Sequence, residues 1–174
     1  MNYRTVIEKA EYLIKISQEL KENPSPEKSS GLLTIVLNGF SEEIPLKIGD
    51  ISLDKELKYK RLSKEKAHRV FSHWLRNNYS KNPVEVVSSY QTRNKDEGKF
   101  GGAVLFERET GNEFPEIISF SGGSEFTDES ISYILGENFG LAKEGLLYKV
   151  KNISKNPLID EMLFEFNKKY SKVA

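Results

Sequence analysis

The segment Leu32-Leu33-Thr34-Ile35-Val36-Leu37 constrains the fold most. Five of these six residues are apolar and several are β-branched, so the run favours a strand, and without polar alternation that strand is buried on both faces. It ends at Asn38-Gly39, a dipeptide that accepts the positive φ of a tight hairpin turn. The returning strand is expected over Glu43 to Ile48, where Ile44, Leu46 and Ile48 alternate with Pro45 and Lys47. Pro45 lacks a backbone donor, which places this strand at an edge. Leu53 to Tyr59 reads as a continuation of the strand pattern.

Helices must then cover the sheet. In the first twenty residues Val6, Ala10, Leu13, Ile16 or Ser17, and Leu20 recur at helical spacing, with Glu8, Lys9, Glu11, Lys15 and Glu19 on the remaining arc. The segment Lys21 to Gly31, rich in Ser, Asn and Pro, is a loop. A second helix is expected with Ser63 as N-cap and a stripe of Ala67, Val70, Phe71, Trp74 and Leu75, ending at Asn77-Asn78. Val84 to Tyr90 reads as a strand and Gln91 to Lys99 as a solvated loop. Ala103 to Phe106 and Ile117 to Phe120 form a second hairpin through Thr110-Gly111-Asn112. Thr127-Asp128-Glu129 opens a third helix with a hydroxyl cap and two carboxylates at the positive end of its dipole. Ile131, Ile134 and Leu135 form its buried stripe, and Gly136 and Gly140 end or weaken it. Leu146 to Val150 reads as a short strand. Asn156-Pro157 then starts a last helix carrying Leu158, Met162, Leu163, Phe166 and Tyr170. The expectation is one domain over residues 1–174 of α+β class, a mostly antiparallel sheet flanked by helices.

Composition narrows the function classes. The chain has 174 residues, 26 basic and 26 acidic, and no cysteine. A disulfide scaffold and a thiolate metal site are therefore excluded. The zero formal charge gives no overall field favouring nucleic acid or anionic lipid. No apolar run approaches the roughly 20 residues needed to cross a bilayer, and the N-terminus has no leader-like apolar region. The expected location is the cytoplasm, without membrane or nucleic-acid partners.

No constellation states a reaction. His68 and His73 are five apart on one helix, hence about 140° apart around its axis, which disfavours a two-histidine metal site. Each fits the edge of the apolar stripe. The acidic pairs Glu42-Glu43, Asp96-Glu97, Asp128-Glu129 and Asp160-Glu161 are neighbours in sequence and point apart, so they read as solvated surface. A lone Ser121 or His68 has no base or orienting acid placed beside it. No catalytic residue and no metal site is assigned. Two glycine pairs stand out, in Gly98-Lys99-Phe100-Gly101-Gly102-Ala103 and Ser119-Phe120-Ser121-Gly122-Gly123-Ser124. Each lies at a strand end, and the second leads into a helix N-terminus at Thr127, where backbone N–H groups can receive an anion. They are either a ligand pocket or two tight turns.

Together, Phe100-Gly101-Gly102-Ala103-Val104-Leu105, Ile117-Ile118-Ser119-Phe120-Ser121-Gly122-Gly123 and Thr127-Asp128-Glu129-Ser130-Ile131 resemble the GlcG/HbpS-like family, also called haem-degrading or PduO C-terminal-like domains. Lys66-Ala67 resembles the Lys-Ala that begins a helix there. The likeness centres on residues 98–136. It departs at Val104, where the family commonly has proline, and at Glu116 and Ser119, where it has glycines. It implies a profilin-like α/β sandwich that assembles into homo-oligomers and, in some members, binds haem or another tetrapyrrole, for which His68 is the candidate axial ligand. The helix from Pro157 onward is an addition to the family core.

The reading that follows is a small-ligand binding domain, non-catalytic or weakly catalytic. Its expected ligand-binding residues are Gly101, Gly102, Ser121, Gly122, Gly123, Thr127, Asp128, Lys66 and His68. The rival is a protein-partner module, such as an immunity, adaptor or assembly protein, that works through its surface.

Overall fold

A computed structural model describes residues 2–108 and 114–170. The expected first hairpin forms: strand β1 (Gly31–Leu37) pairs antiparallel with β2 (Glu42–Ile48), turning through Asn38 and Gly39, both at positive φ. β1 is buried on both faces, and its other edge pairs with β4 (Glu116–Ser121), which pairs in turn with β3 (Ala103–Phe106). The order is β2-β1-β4-β3, every pairing antiparallel, with Pro45 on an edge strand as expected. The turn Thr110-Gly111-Asn112 lies outside the described residues.

Alternation along each strand divides the core into two layers. Leu33 and Ile35 of β1, Val104 and Phe106 of β3, and Ile118 and Phe120 of β4 face one side. There they meet α1 (Tyr3–Glu19), α3 (Glu125–Asn138) and α5 (Ile159–Tyr170). On the opposite side Val36, Ala103, Leu105 and Ile117 pack against Ala67 and Val70 of α2 (Leu53–Asn78). Helices thus cover both faces of one antiparallel sheet, the α+β arrangement expected. α5 belongs to that core. Met162 and Phe166 are fully buried with α1 and α3, each contributing about 1.5–3 kcal/mol by burial.

Several local expectations fail for identifiable reasons. Leu53 to Tyr59 is the start of α2, not a strand. Ser52 is the N-cap, and Asp54 and Glu56 lie in the first turn, where the helix dipole favours carboxylates. Ser63 is consequently no cap but a buried mid-helix residue. Its hydroxyl lies 2.8 Å from Thr34 Oγ1 and 2.7 Å from the Ser119 carbonyl, while Ser119 Oγ donates to the Ser63 carbonyl at 2.8 Å.

Val84 to Tyr90 is not a strand because its backbone groups are claimed locally. The Asn77 side chain binds both the N–H and the carbonyl of Val84, and Gln91 Oε1 accepts from Val87 and Ser88. A bridge at Ser88 and Val104 and the Ala103 N–H donated to Ser89 Oγ at 2.9 Å join it to β3, and a short 3₁₀ turn follows at Ser89–Thr92. Leu146 to Val150 is helical, within α4 (Leu146–Ser154). Leu146 and Val150, four apart, share one buried face.

Thr127 does not cap α3; Ser124 does, its Oγ accepting from Thr127 N at 3.1 Å. Gly136 does not end the helix either. A side chain there would strike the Phe106 ring, 2.0 Å from the nearest ring atom, so this glycine lets α3 lie close on β3. The last helix starts at Ile159 rather than at Pro157; the Asn156 side chain accepts from Leu158 N at 2.9 Å in the turn ahead of it.

Candidate functional site

Three segments meet at one end of the sheet: α2, the loop through Gly101 and Gly102 that enters β3, and the turn from β4 into α3. Along α2, Lys58, Leu62 and Lys66 follow at i, i+4 and i+8 and share a face, with Tyr59 beside them. Opposite stand Ser121, Gly122, Gly123 and Asp128. Together they enclose a cleft of about 340 Å³, within the size range of small-ligand sites. Lys28, Lys95 and Phe100 complete its rim, with Ser124 and Glu125 at the head of α3.

Its floor is an ion pair out of water. Lys66 Nζ donates to Asp128 Oδ2 at 2.6 Å and to the Phe120 carbonyl at 3.0 Å, and the two side chains are 2% and 4% exposed. Asp128 Oδ1 accepts from Gly123 N at 2.8 Å, with the N–H of Gly122 nearby favouring the charged carboxylate. Burial pushes the Asp128 carboxyl above its ordinary range, opposed by the Lys66 ammonium and by these two N–H groups. The turn expected to receive an anion at its amides is therefore filled by the chain's own carboxylate. Thr127 is outside the cleft lining: its N–H is bound to Ser124, and its hydroxyl lies 3.3 Å from Asn23 Oδ1.

The glycines have steric reasons of their own. A Cβ on Gly122 would fall 2.3 Å from the Ser30 carbonyl oxygen and 2.5 Å from Gly31 Cα. Gly102 adopts φ +119°, and a Cβ there would lie 2.6 Å from Asp128 Cβ and 3.0 Å from Lys66 Nζ. Gly101 donates its N–H to Glu125 Oε1 at 2.7 Å, which fastens the loop to α3. Glu125 is also 3.3 Å from Lys95. Among the rim lysines Lys28 has only an exposed contact at 3.8 Å with Glu27, and Lys58 has no ion pair among the described residues. The cleft thus has a neutral floor, an apolar wall of Tyr59, Leu62 and Phe100, and a cationic rim.

His68 is not part of it. Two residues along a helix turn the side chain by about 200°, and His68 stacks on Phe40, ring centroids 4.0 Å apart, away from Lys66. Burial and neighbouring Lys64 lower its pKa, against an opposing pull from Glu43. No histidine, cysteine or methionine lines the cleft, so haem ligated there by His68 does not fit these residues. The histidines stay apart from each other, as their spacing requires. Among the described residues no group of three or more His, Cys, Asp or Glu could hold a metal ion, and no helix is long and apolar enough to cross a membrane.

The structure brings Lys66, Ser121, Gly122, Gly123 and Asp128 together in the cleft lining; Gly101 and Gly102 lie beside it, against Glu125, Asp128 and Lys66, without lining it, and His68 and Thr127 are outside it as well. The sequence reading missed Lys58, Tyr59 and Leu62. Their signal was the helical spacing of Tyr59, Leu62 and Lys66 behind the carboxylates Asp54 and Glu56, obscured by assigning Leu53–Tyr59 to a strand. Lys28, Lys95 and Phe100 lie on loops, where no periodicity marks them. Comparison with protein-family models, with curated proteins and with solved structures finds no match.

Proposed function

We propose that this chain is a small-ligand binding domain whose ligand occupies the cleft between α2 and the β4–α3 turn. The observation that carries the reading is the division of that cleft into a dry, internally neutralised floor, an apolar wall and a lysine rim. Binding sites combine a mostly apolar lining with a few fixed polar groups in this way. No nucleophile with an adjacent base lines it, so the reading is of binding rather than turnover. An anionic ligand is favoured because Lys28 and Lys58 are not neutralised within the cleft. A tetrapyrrole would be held through its carboxylates and its flat face, with no histidine on its metal. Backbone amide NMR during titration with protoporphyrin IX and with aromatic carboxylates tests this. Shifts should concentrate at Gly101, Gly102 and Ser121 to Ser124 and weaken in Lys58→Glu. Shifts spread over the surface, or none at millimolar probe, refute it.

A second reading, partner binding, has one specific support. Phe40, His68, Phe71, Trp74 and Phe114 form a continuous aromatic cluster, with centroid separations of 4.0 to 6.3 Å, and Phe114 is about half exposed. Exposed aromatic groups of this kind are enriched at interfaces. Light scattering over a concentration series, with Phe114→Asp as control, would detect self-association through this face; a monomer at all concentrations removes the homo-oligomer.

A further inference from the structure

Lys66 has hydrogen-bonding capacity that the protein does not use. An ammonium carries three N–H donors, and Lys66 Nζ has two acceptors among the described residues, Asp128 Oδ2 and the Phe120 carbonyl. The side chain is buried, where donors are as a rule satisfied, and the solvent space it borders is the cleft. The charge of the ammonium is already met by Asp128 at 2.6 Å. A second carboxylate at this depth would therefore sit beside Asp128 with no net positive charge to hold it, at the cost of its own desolvation. A neutral acceptor, a carbonyl or hydroxyl oxygen, meets the donor without that cost. At the mouth the balance reverses, because Lys58 has no ion pair among the described residues and lies on the same helix face two turns away from Lys66.

Resting on the cleft reading above, we propose that the ligand is bipolar: a carbonyl or hydroxyl oxygen on Lys66 Nζ at the inner end, a carboxylate or phosphate near Lys58 at the outer end, and a flat apolar body against Tyr59, Leu62 and Phe100. Lys66 is the anchor that selects the inner group. Asp128 holds Lys66 in place and bars a second anion from the floor.

Three probes of one shape separate these elements on the wild-type protein, so that no floor variant has to fold. 4-Acetylbenzoate has the inner ketone and the outer carboxylate, 4-isopropylbenzoate replaces the ketone by an apolar isostere, and 4-methylacetophenone lacks the carboxylate. Amide-shift titrations should rank 4-acetylbenzoate about ten-fold tighter than 4-isopropylbenzoate, the scale of one hydrogen bond with a charged donor. Lys58→Gln should weaken 4-acetylbenzoate several-fold and leave 4-methylacetophenone unchanged. Equal affinity of the ketone and its isostere, with shifts still in the cleft, overturns the inner acceptor while the cleft reading stands; water then fills that place. An unchanged 4-acetylbenzoate affinity in Lys58→Gln overturns the orientation. If no probe shifts the cleft amides, this proposal and the cleft reading fall together.

Discussion

Replacing Lys66 by Met keeps the length of the side chain and removes its charge, leaving Asp128 buried without its cation. Both side chains are almost fully inaccessible, so solvent screens little of the loss. Removing one member of such a pair costs about 3–5 kcal/mol, against a total stability of about 5–15 kcal/mol for a domain. For a chain of this size each kcal/mol corresponds to about 2–4 °C, giving a fall in Tm of about 6–20 °C. The loss depends on pH with a definite sign. Burial already raises the Asp128 carboxyl, and without Lys66 its folded-state value rises further. Protonation relieves the uncompensated charge, so the deficit relative to wild type shrinks as pH falls toward the ordinary carboxylate range and grows as pH rises through the folded-state value. Asp128→Asn added to Lys66→Met should recover much of the loss, because the amide oxygen still accepts from Gly123. Urea unfolding followed by Trp74 fluorescence and far-UV circular dichroism from pH 4 to 8 measures all three proteins. A Lys66→Met deficit below about 1 kcal/mol at pH 7, or one that does not change with pH, would refute the buried-pair reasoning.

Other perturbations separate steric from electrostatic roles. Gly122→Ala puts a Cβ 2.3 Å from the Ser30 carbonyl oxygen and should cost about 1–3 kcal/mol or more by overpacking; Gly140→Ala, at φ +73° with open space around it, should cost only about 1–2 kcal/mol of backbone strain. Equal Tm losses would contradict the packing argument. Glu129 is buried with no cation partner among the described residues, its carboxylate accepting from Ser88 Oγ at 2.5 Å and Asn156 Nδ2 at 3.2 Å. Burial raises its pKa, opposed by hydrogen bonds from Ser154, Ser88 and Asn156. Its favourable contribution is therefore present below the unfolded-chain value and lost as pH rises through the folded-state value, so Glu129→Gln should gain on wild type as pH increases; a constant difference in urea melts from pH 4 to 8 refutes this. Asn156→Ala strips the Phe126 carbonyl of a 2.9 Å donor and Leu158 N of its acceptor, and should cost about 2 kcal/mol or more in the same assay.

Sequence patterning was most informative where one element could be read without its neighbours. The unbroken apolar run of β1, the Asn38-Gly39 turn and Pro45 determine a hairpin with a defined edge. The heptad-like spacing of α1 and the later half of α2 determines which faces are buried. Patterning misled where a short apolar segment fits both periods: in Leu146 to Val150 the shared buried face of Leu146 and Val150 selects helix, whereas in Leu53 to Tyr59, where Leu53 and Leu57 stay exposed, the helix is marked by Ser52, Asp54 and Glu56 at its start. Val84 to Tyr90 carries strand composition, yet Asn77 and Gln91 consume its backbone groups, a local competition no alternation pattern reveals. The position of His68 was misread for a related reason. Membership of the second helix was legible, but whether it faced Lys66's cleft or Phe40 depended on the rotation of α2 against the sheet.

The glycine turn before α3 borders the cleft, but its amides are not free to receive an anion. Gly122-Gly123 followed by a helix reads as an empty anion cradle, and its position does border the cleft. Asp128, five residues beyond Gly123, reaches back to those amides, and the charge it brings is balanced by Lys66, 62 residues earlier in the chain. A cradle closed by its own carboxylate cannot recognise a second anion through the same N–H groups. In the proposed binding mode recognition passes instead to side chains on α2, with Lys66 selecting a neutral oxygen and Lys58 an anion. The specificity of the cleft therefore depends on the helical register between positions 58 and 66, and shifting that register by one residue would rotate Lys58 about 100° away from the cleft while leaving the glycine turn intact.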